Sequence, residues 1–105
     1  MFKNYRKIKQ LIGSKRYTLF VADTRIRKKK GLSGLKSIPR NTGMIFLYNK
    51  EESNRSFTMK NVYFPLRIIF LDRNRNVVYQ QVGKPGQQKL IVCEKPSMYV
   101  IEIVA

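Results

Sequence analysis

Seven short runs rich in β-branched and aromatic residues, each closed by turn chemistry, constrain what this chain can fold into more than anything else in it. From residue 17 the side chains alternate. Tyr17, Leu19 and Val21 fall on one face and Thr18, Phe20 and Ala22 on the other, the two-residue period of a strand. "MIFLY", "SFTMK", "LRIIFLD", "NVVYQQV", "KLIVCE" and "MYVIEIV" follow, separated by polar links such as "NKEESNR", "RNRN", "GKPGQ" and "KPS". Turn signals at roughly ten-residue spacing predict an antiparallel β-sandwich or barrel and argue against alternating β and α units.

At 105 residues the chain has room for one core. We therefore expect an all-β domain of about seven strands over residues 16–105, preceded by a basic N-terminal arm or short helix over residues 1–15. The helical option rests on Tyr5, Ile8 and Ile12 near helical spacing, with Gly13 able to close a short helix. Between the first strand and "MIFLY", the segment "RIRKKKGLSGLKSIPRNTG" reads as a long basic connection with room for one helical turn.

Charge is the second constraint. Twenty-two Lys and Arg against six Asp and Glu give +16, and residues 1–40 carry 13 of the basic residues with Asp23 as their sole acid. Such an excess favours polyanionic partners: nucleic acid, an acidic protein surface or an anionic membrane. The contact residues expected on this basis are Lys3, Arg6, Lys7, Lys9, Lys15 and Arg16, then Arg25, Arg27, Lys28, Lys29 and Lys30, with Lys36 and Arg40 beyond them. Arg73 and Arg75, projecting from the "DRNRN" turn, complete the set. Phosphates need positive groups rather than a particular spacing, so the cluster suits sequence-independent docking. Tyr5, Tyr17, Tyr48 and Tyr63 are too scattered to form a base-stacking platform.

Several chemistries are excluded by inventory. There is no His and one Cys, so Ser-His-Asp triads, Cys-His dyads, the usual zinc sites and an intrachain disulfide are all ruled out. Cys93, within "KLIVCEK", reads as a small buried hydrophobe. The only neighbouring acids in sequence, Glu51 and Glu52, lie in a polar loop and do not suggest an acid–base pair. "GLSG" lacks the Lys-Ser or Lys-Thr of a phosphate cradle. No cofactor or metal is implied. The apolar run from Tyr17 to Ala22 is too short for a secretory signal, and no run reaches transmembrane length. The expectation is a protein in the compartment where it is made, or packaged in a particle assembled there.

"GLSGLKSIPRNTGMIFLY", "FTMKNVYFPLRIIFLDRNRNVV" and "MYVIEIVA", in that order and spacing, resemble the family known as domain of unknown function 192, over about Tyr17 to Ala105. Gly31, Leu32, Pro39, Gly43, Met44, Phe57, Met59, Lys60, Asn61, Pro65, Leu66 and Asp72 match its pattern. Ser33, Leu35, Thr58, Arg67 and Arg75 stand where the family usually has Met, Arg, Trp, Asp and Gly. The resemblance implies a mostly antiparallel β-sandwich or barrel with no established activity.

Two functional readings follow. The first is a non-enzymatic structural or accessory protein docking on nucleic acid or another acidic surface within a larger particle, such as a virion or nucleoprotein. The second is a small-molecule or peptide-binding β-domain with a pocket around Lys60, Asn61, Tyr63 and Arg67. Arg67 shares a strand face with Ile69 and Leu71, so it must reach solvent or an acid, for which Asp72, Glu94 and Glu102 are candidates. Lys60 and Asn61 suit loop-stapling as readily as ligand contact.

Overall fold

Eight strands and one helical turn make up the computed structural model, which describes residues 2–105. In chain order they are β1 (Lys7–Ile12), β2 (Lys15–Ala22), α1 (Arg25–Lys30), β3 (Thr42–Glu52), β4 (Arg55–Phe57), β5 (Leu66–Leu71), β6 (Val77–Gly83), β7 (Ile91–Cys93) and β8 (Ser97–Val104). Six of the strands form one sheet in the order β1-β2-β3-β8-β5-β6, and β4 pairs with β7 in a small second sheet. The sheet does not close into a barrel, and the arrangement is that of a β-sandwich-like domain. All seven expected strands are present.

Residues 7–12 differ from the expected arm or helix. They form β1, antiparallel to β2 through the two-residue turn at Gly13, whose φ is +62°. The physical reason is the partner: Ile8 and Ile12 alternate with Lys7, Lys9 and Leu11, and that period lets both isoleucines pack on the face carrying Leu19 and Val21. A free helix of that length has no such surface to bury.

One connection also departs from antiparallel pairing. β2 and β3 run parallel, joined by a crossover that contains α1. The helix begins where the Thr24 hydroxyl accepts the Arg27 N–H at 3.2 Å. It ends at Gly31, whose φ of +50° an L side chain disfavours. Four basic residues in its last turn suit the negative end of the helix dipole.

The sheet buries both faces. On one, Met44, Phe46, Ile68, Phe70 and Val100 pack beneath β4, β7 and the loops around Leu32, Met59 and Val62. On the other, Leu19, Val21, Ile45, Ile69, Ile101 and Ile103 form a second cluster, with Ile8, Ile12, Tyr17, Leu47 and Leu71 packed against it. Cys93 is fully buried in the first cluster. Phe57 ties the small sheet to the large one through edge-to-face contacts with Phe46 and Phe70, at centroid separations of 5.1 and 5.6 Å. Phe57→Leu should lose most of that aromatic geometry while keeping apolar volume. The expected loss is roughly 1–2 kcal/mol in urea denaturation.

Candidate functional site

The central strand β8 carries an acid where its alternation calls for an apolar residue. Val100 and Glu102 point to the same face, and Glu102 lies between Met44 of β3 and Ile68 of β5, both fully buried. Glu102 itself is only 4% exposed. Among the described residues it forms neither a salt bridge nor a side-chain hydrogen bond. A carboxylate withdrawn from water without a partner is costly, and the group answers by holding its proton: burial pushes its pKa from 4.5 to about 8.

Glu102 opens onto a cavity of about 480 Å³ roofed by the end of α1 and the loop after β4. Gly31 forms part of that roof. A Cβ built there would sit 3.4 Å from Phe46 Cζ and 3.8 Å from Glu102 Oε1, so a side chain would project toward the carboxyl. Phe46, Tyr48 and Phe57 supply aromatic wall, and Lys28, Lys29, Lys30 and Lys60 stand around it. The Tyr48 ring has the Lys28 ammonium 4.3 Å from its centroid and the Arg55 guanidinium 3.6 Å from it. Arg55 is anchored, donating to the carbonyls of Ser97 and Lys50 at 3.0 and 2.7 Å. Burial and the nearby Arg55 charge lower the Lys28 pKa, with Asp23 opposing. Burial raises that of the Tyr48 phenol, against Arg55 and with Glu102 and Glu52.

The four residues expected to share a pocket do not stay together. Lys60 and Asn61 line the Glu102 cavity. Asn61, at a φ of +60°, also staples the roof, its carbonyl accepting the Gly34 N–H at 2.8 Å. Tyr63 lines an adjoining groove with Lys60, Asn61 and the turn at residues 85–88. Arg67 belongs to the opposite side of the sheet: it pairs in register with Ile103, whereas Ile68 pairs with Glu102, so Arg67 and Glu102 face away from each other. Its guanidinium meets Gln80 Oε1 at 3.4 Å rather than an acid. The two-residue strand period separates it from the pocket.

The expected basic contact residues are spread over the molecule. Lys7, Lys9 and Arg16 share one face of the β1–β2 hairpin, since Lys7 pairs with Phe20, Lys9 with Thr18 and Leu11 with Arg16. Lys28, Lys29 and Lys30 line the Glu102 cavity, while Lys15 and Arg40 line a separate cleft beside the chain's last residue. Lys3, Arg25 and Lys36 are exposed. Others are engaged locally: Arg6 and Arg27 with Asp23 at 3.1 and 3.9 Å, and Arg73 with Glu51 at 3.2 Å. Arg27 and Arg75 also stack over Tyr5 and Tyr99. No helix among the described residues is long and apolar enough to cross a membrane.

Glu102 is the site residue that sequence reasoning passed over, entering only as a candidate partner for Arg67. Its signal was present: in "MYVIEIV" the alternation puts an acid in step with Val100.

Comparison with known proteins supports the fold. The DUF192 family model, described as an uncharacterized ACR, matches residues 8–105. No curated protein matches. Among solved structures, a candidate transcription regulator from Sinorhizobium meliloti 1021 superposes with a TM-score of 0.85 at 22% identity, covering 96% of this chain and 82% of its own. A protein of unknown function from Novosphingobium aromaticivorans DSM 12444 superposes with a TM-score of 0.81 at 27% identity, covering 96% of this chain and 74% of its own.

Proposed function

The chain belongs to the DUF192 family, and from its own pocket we propose that it is a small-molecule-binding β-domain whose ligand sits over Glu102. The observation that carries this reading is a buried carboxyl with no partner among the described residues, open to a cavity of about 480 Å³. That volume lies within the usual ligand-pocket range of about 300–1,000 Å³. An apolar residue at position 102 would pack between Met44 and Ile68 at no desolvation cost, so the acid weakens the fold where it stands. Residues that cost stability in this way are characteristic of sites that meet a ligand. Lys60 and Asn61 keep the role of pocket residues, and Arg67 has none there.

The test is an NMR screen of small polar fragments against the labelled protein. We expect amide shifts concentrated at Gly31, Tyr48 and Glu102 with at least one fragment class. Shifts confined to other surfaces, or none across the library, would sink the reading.

A second reading, docking on nucleic acid or another acidic surface within a larger particle, is favoured by one observation. Lys7, Lys9 and Arg16 sit side by side on the exposed face of an edge hairpin in a chain of net charge +16. On a heparin column the protein should elute above roughly 0.3 M salt, and Lys7→Ala with Lys9→Ala and Arg16→Ala should lower that point clearly. Elution of the unmodified protein near physiological salt would remove this reading.

A further inference from the structure

We propose that the Glu102 pocket takes small organic anions, with a carboxylate or phosphate monoester held between the lysines of the mouth and the Glu102 carboxyl at the floor. The inference rests on the small-molecule reading above and adds the chemical class of the ligand. Among the described residues four lysines line this cavity, and Glu102 is its one acid. A cationic ligand would have to approach a chain of net charge +16 past Lys28, Lys30 and Lys60. An anion is drawn in by the same field. The aromatic wall of Phe46, Tyr48 and Phe57 suits a flat or apolar body behind the anionic group.

Glu102 fits this arrangement as a donor. A neutral carboxyl carries one O–H, and an anionic oxygen is the strongest acceptor a small ligand can offer it. The charged and titratable groups around it are Lys28, Lys29 and Lys30 of α1, Tyr48 of β3 with Glu52 at that strand's end, Arg55 of β4, and Lys60 of the following loop. Arg55 is committed to two carbonyls and the Tyr48 ring, and the Lys28 ammonium rests over the same ring, whereas the side-chain ammonium groups of Lys30 and Lys60 form no hydrogen bond or ion pair among the described residues. Among those residues none of the three lysine ammoniums is held by an acid, so each can meet the ligand. Ionisation of Glu102 places a negative charge against the bound anion, so binding is coupled to retention of that proton. Anion affinity therefore falls as pH rises through about 8.

The experiment compares benzoate, phenyl phosphate, benzyl alcohol and benzylamine, probes that share a ring and differ in charge, by NMR titration at constant ionic strength. We expect benzoate and phenyl phosphate to shift the Gly31 and Tyr48 amides and to bind at least tenfold more tightly than benzylamine. Lys28→Ala and Lys60→Ala should each weaken benzoate several-fold. Benzoate, ionised throughout, should lose about tenfold in affinity between pH 7 and 9. Glu102→Gln cannot ionise, so the affinity it retains should be nearly constant between pH 7 and 9, which separates Glu102 from the lysines. Benzylamine or benzyl alcohol binding better than benzoate overturns the anion assignment and leaves the small-molecule reading standing. An equal pH slope in the Glu102→Gln protein overturns the role given to Glu102. If no probe shifts the Gly31 or Tyr48 amides, the anion assignment fails, and the broader fragment screen decides the reading beneath it.

Discussion

Gly43→Ala is expected to destabilise the protein by at least ~3 kcal/mol, measured as a fall in the urea midpoint at unchanged slope, because the added methyl has nowhere to go. A Cβ at residue 43 would stand 2.3 Å from the backbone oxygen of Glu102, 2.8 Å from Ile103 Cγ2 and 3.2 Å from Leu19 Cδ2. The nearest of these is main chain in the middle of the sheet, so relief requires β3 and β8 to separate rather than one side chain to turn. Gly43 pairs with Ile103, beside the Met44–Glu102 pair, so any such separation also displaces the strand that carries the pocket acid. Folded material from this variant should therefore show weakened ligand-induced shifts at Tyr48 as well as lower stability. A loss under 1 kcal/mol would mean that the two strands are further apart than described.

The second large effect is a pH dependence with a definite sign. Glu102 has its folded pKa raised, so below about 4.5 the carboxyl is protonated in both the folded and the unfolded chain and costs nothing through charge. Between 4.5 and about 8 the folded protein binds a proton that the unfolded chain has released, and stability falls as pH rises. At ~1.4 kcal/mol per pH unit, the loss across that interval is roughly 5 kcal/mol, of which roughly 3 is incurred by pH 7. Above about 8 both states are ionised and the penalty levels off. Glu102→Gln removes the titration. Its stability advantage over the unmodified protein should be small at pH 5 and should grow steadily to pH 8, in urea denaturation at matched salt. The difference between the two proteins is the relevant quantity, since the other carboxylates and the excess of lysine contribute to both. A constant difference over this range would mean that Glu102 is solvated or paired.

The strands were readable because their pattern is local. Alternation in "RYTLFVA", the β-branched run "LRIIFL" and the polar links between segments report on neighbours in sequence, and each became a strand. β1 was missed for the opposite reason. Tyr5, Ile8 and Ile12 satisfy a helical spacing loosely, but Ile8 and Ile12 also satisfy a strand period. Only the presence of β2, with Leu19 and Val21 on the receiving face, decides between the two. The parallel β2–β3 pair depends likewise on where α1 carries the chain, which no turn residue announces.

The pocket divided along the same line. Lys60 and Asn61 were recognisable from the local sequence "MKN", and they do line the cavity. Arg67 was assigned to it by nearness in sequence, yet one residue of strand period puts it on the other side of the sheet. Glu102 lies more than 40 residues from Asn61 and meets it only because β8 inserts between β3 and β5. Lys28 and Lys30, grouped with a general basic surface by composition, are brought by α1 to the same cavity. Total charge supports only an expectation of anionic partners, and the fold is needed to say that four of the lysines surround one buried acid.

The most direct test is a carbon-13 NMR titration of the Glu102 side-chain carboxyl in the ligand-free protein, assigned by comparison with Glu102→Gln. A midpoint near 8 is the expected result, the behaviour of a carboxyl that is buried, unpaired and open only to its own cavity. A midpoint near 4.5 would show that water or a lysine already satisfies the group, and the account of this pocket as a site awaiting a ligand would be contradicted.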